Sequence, residues 1–378
     1  MDSNLKIEKR RFRTGQCTDL AEEWDSLLAR SSRPTVYSTF DCFDTVNKHF
    51  YEDDEEVYIL LFREAESDAL VAIFSYCIEK ESLYGIETQV LYHGIVPDDP
   101  GVDKPYPIIE KDREEECWNR YCRYLKREFT DWDRLTYDEF TPESYFFRNL
   151  RSLFSFPGYW CKSVEGPESP IMDLNGDWEE FWMSHRKLRK KTRRLEKKMG
   201  DRLNYSIISD PDKISMCLDA YVETELLSWK AGKEGISPED YQPFYRDLFV
   251  RLAEKGRIYF GILREEEKVV SLEVAYTFGD RVYFAHGTYD PAYSDISPGT
   301  VNSGWFIKFF HGKGYVEGDY LAGYASYNNP WAARIEKTVT INVRRLGWKN
   351  WRLAACHLTK KLKNKLSSAD VDSGSEGG

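Results

Sequence analysis

Ser297-Pro298-Gly299-Thr300 stands directly before Thr300 to His311, a stretch whose apolar spacing predicts a helix. A helix start leaves backbone N–H groups unpaired and carries the positive dipole end, so this tetrapeptide has the means to hold a diphosphate. The plainer alternative is an ordinary N-cap with proline in the first turn. Glu273 falls in an expected strand, Val269 to Phe278, on the alternating face of Ser271, Ala275 and Thr277. There it either moves a proton or rests on a wet face. His286 ends the next strand between Ala285 and Gly287, small residues that let another backbone come close. It is either a titrating group or a hairpin hydrogen-bonder. Asp319 closes a later strand, Val316 to Tyr320, as a further acid or as the partner of a backbone amide. Ser228-Trp229-Lys230 ends a helix, where a lysine also suits the dipole.

Charge is unevenly spread. The 378 residues carry a formal −11, yet His185 to Arg202 holds ten Lys/Arg against Glu196 and Asp201, or +8, leaving −19 elsewhere. That balance argues against a general nucleic-acid coat and marks one cationic face. Leu188, Thr192, Leu195 and Met199 form a packing stripe on this run, so its cations face outward, toward solvent or toward an anionic partner. Eight scattered cysteines without a Cys-x-x-Cys pair, and six histidines without a zinc spacing, predict reduced thiols and no metal site. The phosphate-loop, dinucleotide and nucleophile-elbow signatures are missing too. The longest apolar runs fall far short of a membrane span and the N-terminus is charged, so a soluble, cytoplasmic protein is expected.

The elements that must position these residues read as two similar series. Helices at Thr18 to Ala29 and Phe40 to Phe50 precede three strands, Val57 to Phe62, Leu70 to Ile78 and Leu83 to Leu91. A helix at Arg113 to Phe129, a strand at Arg134 to Tyr137, a helix at Pro142 to Leu153 and a strand at Tyr159 to Val164 follow. Gly166 to Pro170 reads as a linker. The second series has helices at Trp178 to Met199, Lys213 to Ser228 and Tyr241 to Lys255, with a strand at Leu203 to Ile208. Strands at Arg257 to Leu263, Val269 to Phe278 and Arg281 to Thr288 come next, the last two joined by Gly279-Asp280. The helix from Thr300, the strand to Tyr320, a helix at Pro330 to Lys337 and a strand at Thr338 to Arg345 complete it. The expectation is an α+β chain of two tandem mixed-sheet domains, 1–165 and 171–366, with a disordered tail at 367–378.

Leu188-Arg189 to Arg194, Ser228-Trp229-Lys230 with Gly232, Tyr289-Asp290-Pro291-Ala292-Tyr293, Ser297-Pro298-Gly299, and Asp319 with Gly323 occur in an order and spacing that resembles the CelD/Fem-like branch of the GNAT acyltransferases (BioF2-like acetyltransferase domains). The resemblance is strongest over Trp178 to Trp331. It implies two GNAT-like domains, the first degenerate, because Lys111-Asp112 and three glutamates precede or open its Arg113 helix. It also implies an N-acyltransferase that moves an acyl group from a CoA or acyl carrier protein thioester to an amine of a sugar, lipid or peptide, with no tightly bound cofactor. In such a fold Ala285, Gly287, Ser297, Pro298, Gly299 and Thr300 would hold the acyl carrier. Trp229, Lys230, Tyr289 and Tyr327 would line the acceptor side, and the base would be Glu273, His286 or Asp319. Tyr327-Asn328 departs from the Tyr-Lys often found there. The cationic run would meet an acyl carrier protein or the inner membrane face, with no specific DNA binding. Two alternatives remain open: aminoacyl transfer from charged tRNA in the Fem manner, which the acidic remainder and lack of a long helical arm disfavour, and a non-catalytic scaffold for an anionic polymer or membrane.

Overall fold

The structure, a computed structural model, describes residues 4–52, 56–94, 103–104, 106–228, 231, 235–321, 331–356 and 359. The first half runs β1 (Leu5–Arg11), α1 (Ala21–Ala29), α2 (Phe40–Phe50), β2 (Glu56–Glu64), β3 (Leu70–Leu83), β4 (Ile86–His93), β5 (Ile108–Ile109), α3 (Glu114–Arg127), β6 (Arg134–Phe140), α4 (Tyr145–Arg148), α5 (Leu150–Leu153) and β7 (Tyr159–Asp173). The second half runs α6 (Trp178–Ser184), α7 (Arg186–Met199), β8 (Leu203–Ile208), α8 (Pro211–Leu226), α9 (Gln242–Glu254), β9 (Ile258–Glu265), β10 (Lys268–Phe278), β11 (Arg281–Tyr289), α10 (Pro298–Gly312), β12 (Glu317–Asp319) and β13 (Arg334–Arg345). After the α6–α7 lead-in the order of the first half recurs, so the chain is α+β and built of two tandem copies of one mixed-sheet unit.

The thirteen strands form a single sheet in the order β1-β2-β3-β4-β6-β13-β7-β12-β11-β10-β9-β8, with β5 paired to β3. Each half contributes a meander, and each meander pairs in parallel with the strand after its long helix, β4 with β6 and β11 with β12. At the centre the last strands change places. β13 pairs with β6 of the first half, β12 pairs with β7, and β7 and β13 run antiparallel along eleven matched positions. The helices α1 and α2 meet α8 and α9 in one apolar core that spans both halves, including Leu27, Phe43, Leu218, Phe244, Leu248 and Tyr276. Ion pairs reinforce this seam, with Arg251 on Asp44 (2.7 Å), Lys48 on Asp247 (2.6 Å) and Arg257 on Asp25 (3.1 Å).

Several expectations need correction. Leu5–Arg11 is a strand, missed because only Leu5 is buried while the rest of LKIEKRR is half-buried or exposed. Gly166 to Pro170 is not a linker but the middle of β7. A Cβ on Gly166 would lie 2.5 Å from Thr338 Oγ1, so the glycine serves close strand approach rather than freedom. The expected single helix at Trp178 to Met199 breaks at His185, whose ring lies 4.4 Å from Phe181 and 5.1 Å from Trp331 by centroids and so leaves the helical path. Residues Arg334 to Lys337, expected as helix, begin β13, where Arg334 pairs with Glu317 and Glu336 with Lys104 (3.3 Å), contacts only an extended chain delivers. The expected tail at 367–378 lies outside the described residues. Among the described residues no helix is long and apolar enough to cross a membrane, and no group of three His, Cys, Asp or Glu has metal-binding geometry.

Candidate active site

β11 and β12 pair over three residues only, Arg281 to Tyr283 against Glu317 to Asp319. Beyond them β11 runs on to Tyr289 with no register partner in β12, which ends at Asp319. α10 starts beside the end of this β11 extension. Asp290 accepts the Ala292 N–H (2.9 Å) and pairs with Lys268 (2.8 Å), starting a short 3-10 turn, Pro291–Ile296. Ser297 then adopts a left-handed conformation (φ 54°) and Pro298 opens the helix. No side chain caps that start, so the first-turn amides around Gly299 and Thr300 are offered to a ligand. A Cβ on Gly299 would stand 3.6 Å from the Tyr289 ring, so Tyr289, partly exposed, flanks the helix start.

The β10–β11 ladder shifts register between Val274, opposite His286, and Ala275, opposite Phe284, which leaves Ala285 as an extra residue. Such a bulge re-aims side chains. Phe284 packs in the core under α10, whereas Ala285 and His286 both face α8 and α9. The His286 ring sits edge-on to Tyr245 (5.1 Å), Tyr276 (6.3 Å) and Tyr221 (6.4 Å). The Tyr276 hydroxyl beside it is buried with no partner among the described residues, and burial holds its phenol well above the ordinary value, so it stays protonated.

Glu273 faces the other way. It lies opposite Gly287 on β11 and Gly261 on β9, and accepts a hydrogen bond from Ser303 of α10. Glu273 keeps some solvent access as a residue, yet dense protein surrounds its carboxyl. Desolvation therefore pushes it up to about 8, while the Ser303 bond pulls the other way. Tyr205 reaches across Gly261, its hydroxyl 3.1 Å from where a Cβ would be. Gly287 thus shares the α10 side with Glu273, and His286 lies on the opposite side.

Asp319 is fully buried and both its oxygens are engaged. Lys104 Nζ, from the first half, lies 2.8 Å from Oδ2, and the Leu321 N–H donates to Oδ1 at 2.8 Å. A carboxylate so occupied is a strut between the halves. Structure therefore separates the three expected bases: Glu273 under α10, His286 toward α8 and α9, and Asp319 in a charge network between the halves. Trp229, Lys230 and Tyr327 lie outside the described residues. Glu225, unmarked in sequence, caps the connection that follows the first two, accepting from Ile236 N (2.9 Å) and Ser237 N (2.8 Å). Gly235 (φ 81°) permits this, since a Cβ there would sit 2.3 Å from the Glu225 carboxylate. Lys104 was also missed; nothing in its Pro/Gly/Asp-rich surroundings announces a buried ion pair. The register shift at Ala285 has no signal beyond the small residues themselves.

Residues 184–329 match the family model described as an Acetyltransferase (GNAT) domain, a span that contains α7, β8 to β12 and α10. Among curated proteins none matches the chain in sequence. Solved structures match over nearly its whole length. FemX is 10% identical with a TM-score of 0.62, covering 92% of this chain and 99% of its own. A conserved protein of unknown function from Bacteroides thetaiotaomicron VPI-5482 is 11% identical with a TM-score of 0.56, covering 90% and 100%. L-PGS from Bacillus licheniformis is 12% identical with a TM-score of 0.51, covering 91% and 96%. At such identities the likeness is one of fold.

Proposed function

We propose that the chain, whose residues 184–329 match the Acetyltransferase (GNAT) domain model, is an acyltransferase that moves an acyl group from a CoA or acyl carrier protein thioester to the amine of a sugar, lipid or peptide. The observation that carries this reading is the uncapped α10 start at left-handed Ser297, set beside the part of β11 that extends past the end of β12. Ser297, Pro298, Gly299 and Thr300 receive the diphosphate or phosphate of the carrier. Its pantetheine arm runs along Ala285 to Gly287, where the strand edge is no longer paired with β12. The thioester then lies toward α8 and α9, and the acceptor amine approaches from that side.

Acyl transfer needs the amine neutral, the carbonyl oxygen stabilised and the departing thiolate protonated. The amine nitrogen forms the new bond to the carbonyl carbon as the C–S bond breaks. His286 takes the amine proton, and the protonated Tyr276 phenol is placed to support the oxygen or the sulfur. Glu273, on the other face, tunes the helix that holds the carrier, and Asp319 positions β12 through Lys104. Trp229, Lys230, Tyr289 and Tyr327 line the acceptor side in this reading, and Glu225 holds Ile236 and Ser237 in place. The division into units ending near 165 and beginning near 171 is kept as a division of repeats, not of separable bodies.

The second half does the chemistry and the first supports it. Arg113, at the first half's corresponding helix start, pairs with Glu64 (2.6 Å) and Glu116 (2.6 Å), and Glu114, Glu115 and Glu116 crowd the first turn, which repels a diphosphate. Aminoacyl transfer from charged tRNA stays as the second reading on one observation: of the α7 cations, Lys198 alone is ion-paired among the described residues. Mass spectrometry of thioester consumption across acyl-CoA, acyl carrier protein and aminoacyl-tRNA donors with a panel of amines decides between them. Consumption of tRNA ester alone would reject the thioester reading.

A further inference from the structure

Among the described residues, the large aromatic side chains most exposed to solvent gather at one end of the central sheet, far in sequence from the residues of the candidate site. Phe156 (76% exposed) and Trp160 (45%) lie at the start of β7, and Trp348 (64%) and Trp351 (60%) on a helix, 348–356, that follows β13. Arg344 lies opposite Trp160 in the β7–β13 register, and the Leu346 N–H donates to the Gly158 carbonyl at 2.9 Å, so the two groups are neighbours. The helix is fixed from beneath. Leu353 is buried, Asn350 Nδ2 donates to the Asp133 carbonyl (3.0 Å) and Lys349 pairs with Asp133 (3.1 Å). That leaves Trp348, Trp351, Arg352 and Ala355 as an outward stripe at helical spacing.

Cations accompany these rings. The Arg344 guanidinium lies 5.6 Å from the Trp160 ring centroid and that of Arg352 5.7 Å from Trp348. From Trp348 to Leu366 the sequence carries six Lys/Arg and no acid. We propose that this end of the molecule is an interfacial docking surface for an anionic lipid bilayer, with the tryptophans at headgroup depth and the guanidiniums on lipid phosphates. Tryptophan favours the membrane–water interface, and apolar stripes edged with Lys/Arg bind anionic bilayers in this way. A second copy of the chain fits less well, because a self-pair would set like cations against each other. Single-stranded nucleic acid also fits less well, since stacking needs open ring faces and two of these rings already carry a guanidinium. The inference stands independently of the acyltransferase reading.

Vesicle co-sedimentation of the full chain tests it, with phosphatidylcholine vesicles containing about one-third phosphatidylglycerol against phosphatidylcholine alone. The wild type sediments with the anionic vesicles, and Trp348→Ser with Trp351→Ser lowers apparent affinity by roughly tenfold or more at an unchanged melting temperature. Trp351→Phe keeps most of the binding, which guards against a folding artefact. Failure to sediment with either vesicle, or equal sedimentation of the double serine variant, overturns the proposal. So does a dimer, or retention of a single-stranded RNA oligonucleotide, abolished by the same two serines in a wild type that ignores lipid.

Discussion

Glu273 carries its proton to about 8 in the folded protein against an ordinary 4.5, because burial disfavours the anion. A raised acid gives stability that is complete below the unfolded value and lost as pH climbs through the folded one. Glu273→Gln therefore melts like the wild type at pH 4 to 5 and increasingly above it toward pH 8; parallel melting curves across that window would remove the burial argument. For turnover the three acids and bases should separate. His286→Gln is expected to lower kcat by about 10² to 10⁴-fold while CoA still stabilises the protein. Glu273→Gln should keep turnover within a few-fold. Asp319→Asn should lose melting temperature rather than turnover per folded molecule, since its oxygens serve Lys104 and Leu321. A deep turnover loss in Glu273→Gln with a silent His286→Gln would reverse the assignment. All three were legible as candidates because titratable groups inside strands stand out. Their facing was not, because alternation puts Ala285 and His286 on opposite sides and the register shift puts both on one.

Secondary elements were read best where period and turn chemistry agreed. Leu203–Ile208 and the β9 to β11 meander follow β-branched or alternating runs closed by Gly279-Asp280, and the helix after Ser297 begins where proline and glycine announce it. Strands whose side chains are exposed on both faces gave no such pattern, which is why the central stretch of β7 passed for a linker. The α10 start yields a sharp test. Gly299→Ala places its methyl in ordinary contact with Tyr289 and should preserve the thermal shift given by CoA, about 2.7 kcal/mol at one hundred times the dissociation constant. Gly299→Trp should abolish it. If both variants respond alike, the diphosphate does not sit there. On α7 the stripe Leu188, Thr192, Leu195 and Met199 is buried as its spacing predicts, and the cations face out. Reversing Lys190, Arg193 and Arg194 to Glu should weaken use of an anionic donor and flatten its dependence on salt; an unchanged salt response returns the helix to solvent.

At the scale of the molecule the two repeats are fused by a shared core, a seam of ion pairs and a buried lysine. Lys104 Nζ touches Asp319 (2.8 Å) and Glu336 (3.3 Å), so one side chain of the first half bridges two acids of the second. Lys104→Met strands a buried carboxylate and should cost about 3 to 5 kcal/mol, much of it restored by adding Asp319→Asn; additive losses in urea unfolding would argue against a coupled pair. Composition and the repeated order of elements foretold two copies of one unit, but not their interlocking, which depends on pairings between residues far apart in sequence. The exchange of final strands sets a condition on synthesis. When the first half leaves the ribosome, β6 has an open edge, because its neighbour β13 ends at Arg345 and is translated last among the described strands. β7 waits as well, since both strands that flank it come from the second half. The nascent chain must therefore keep these unpaired strand edges from sticking elsewhere until β13 has been translated, a task for which cells keep chaperones.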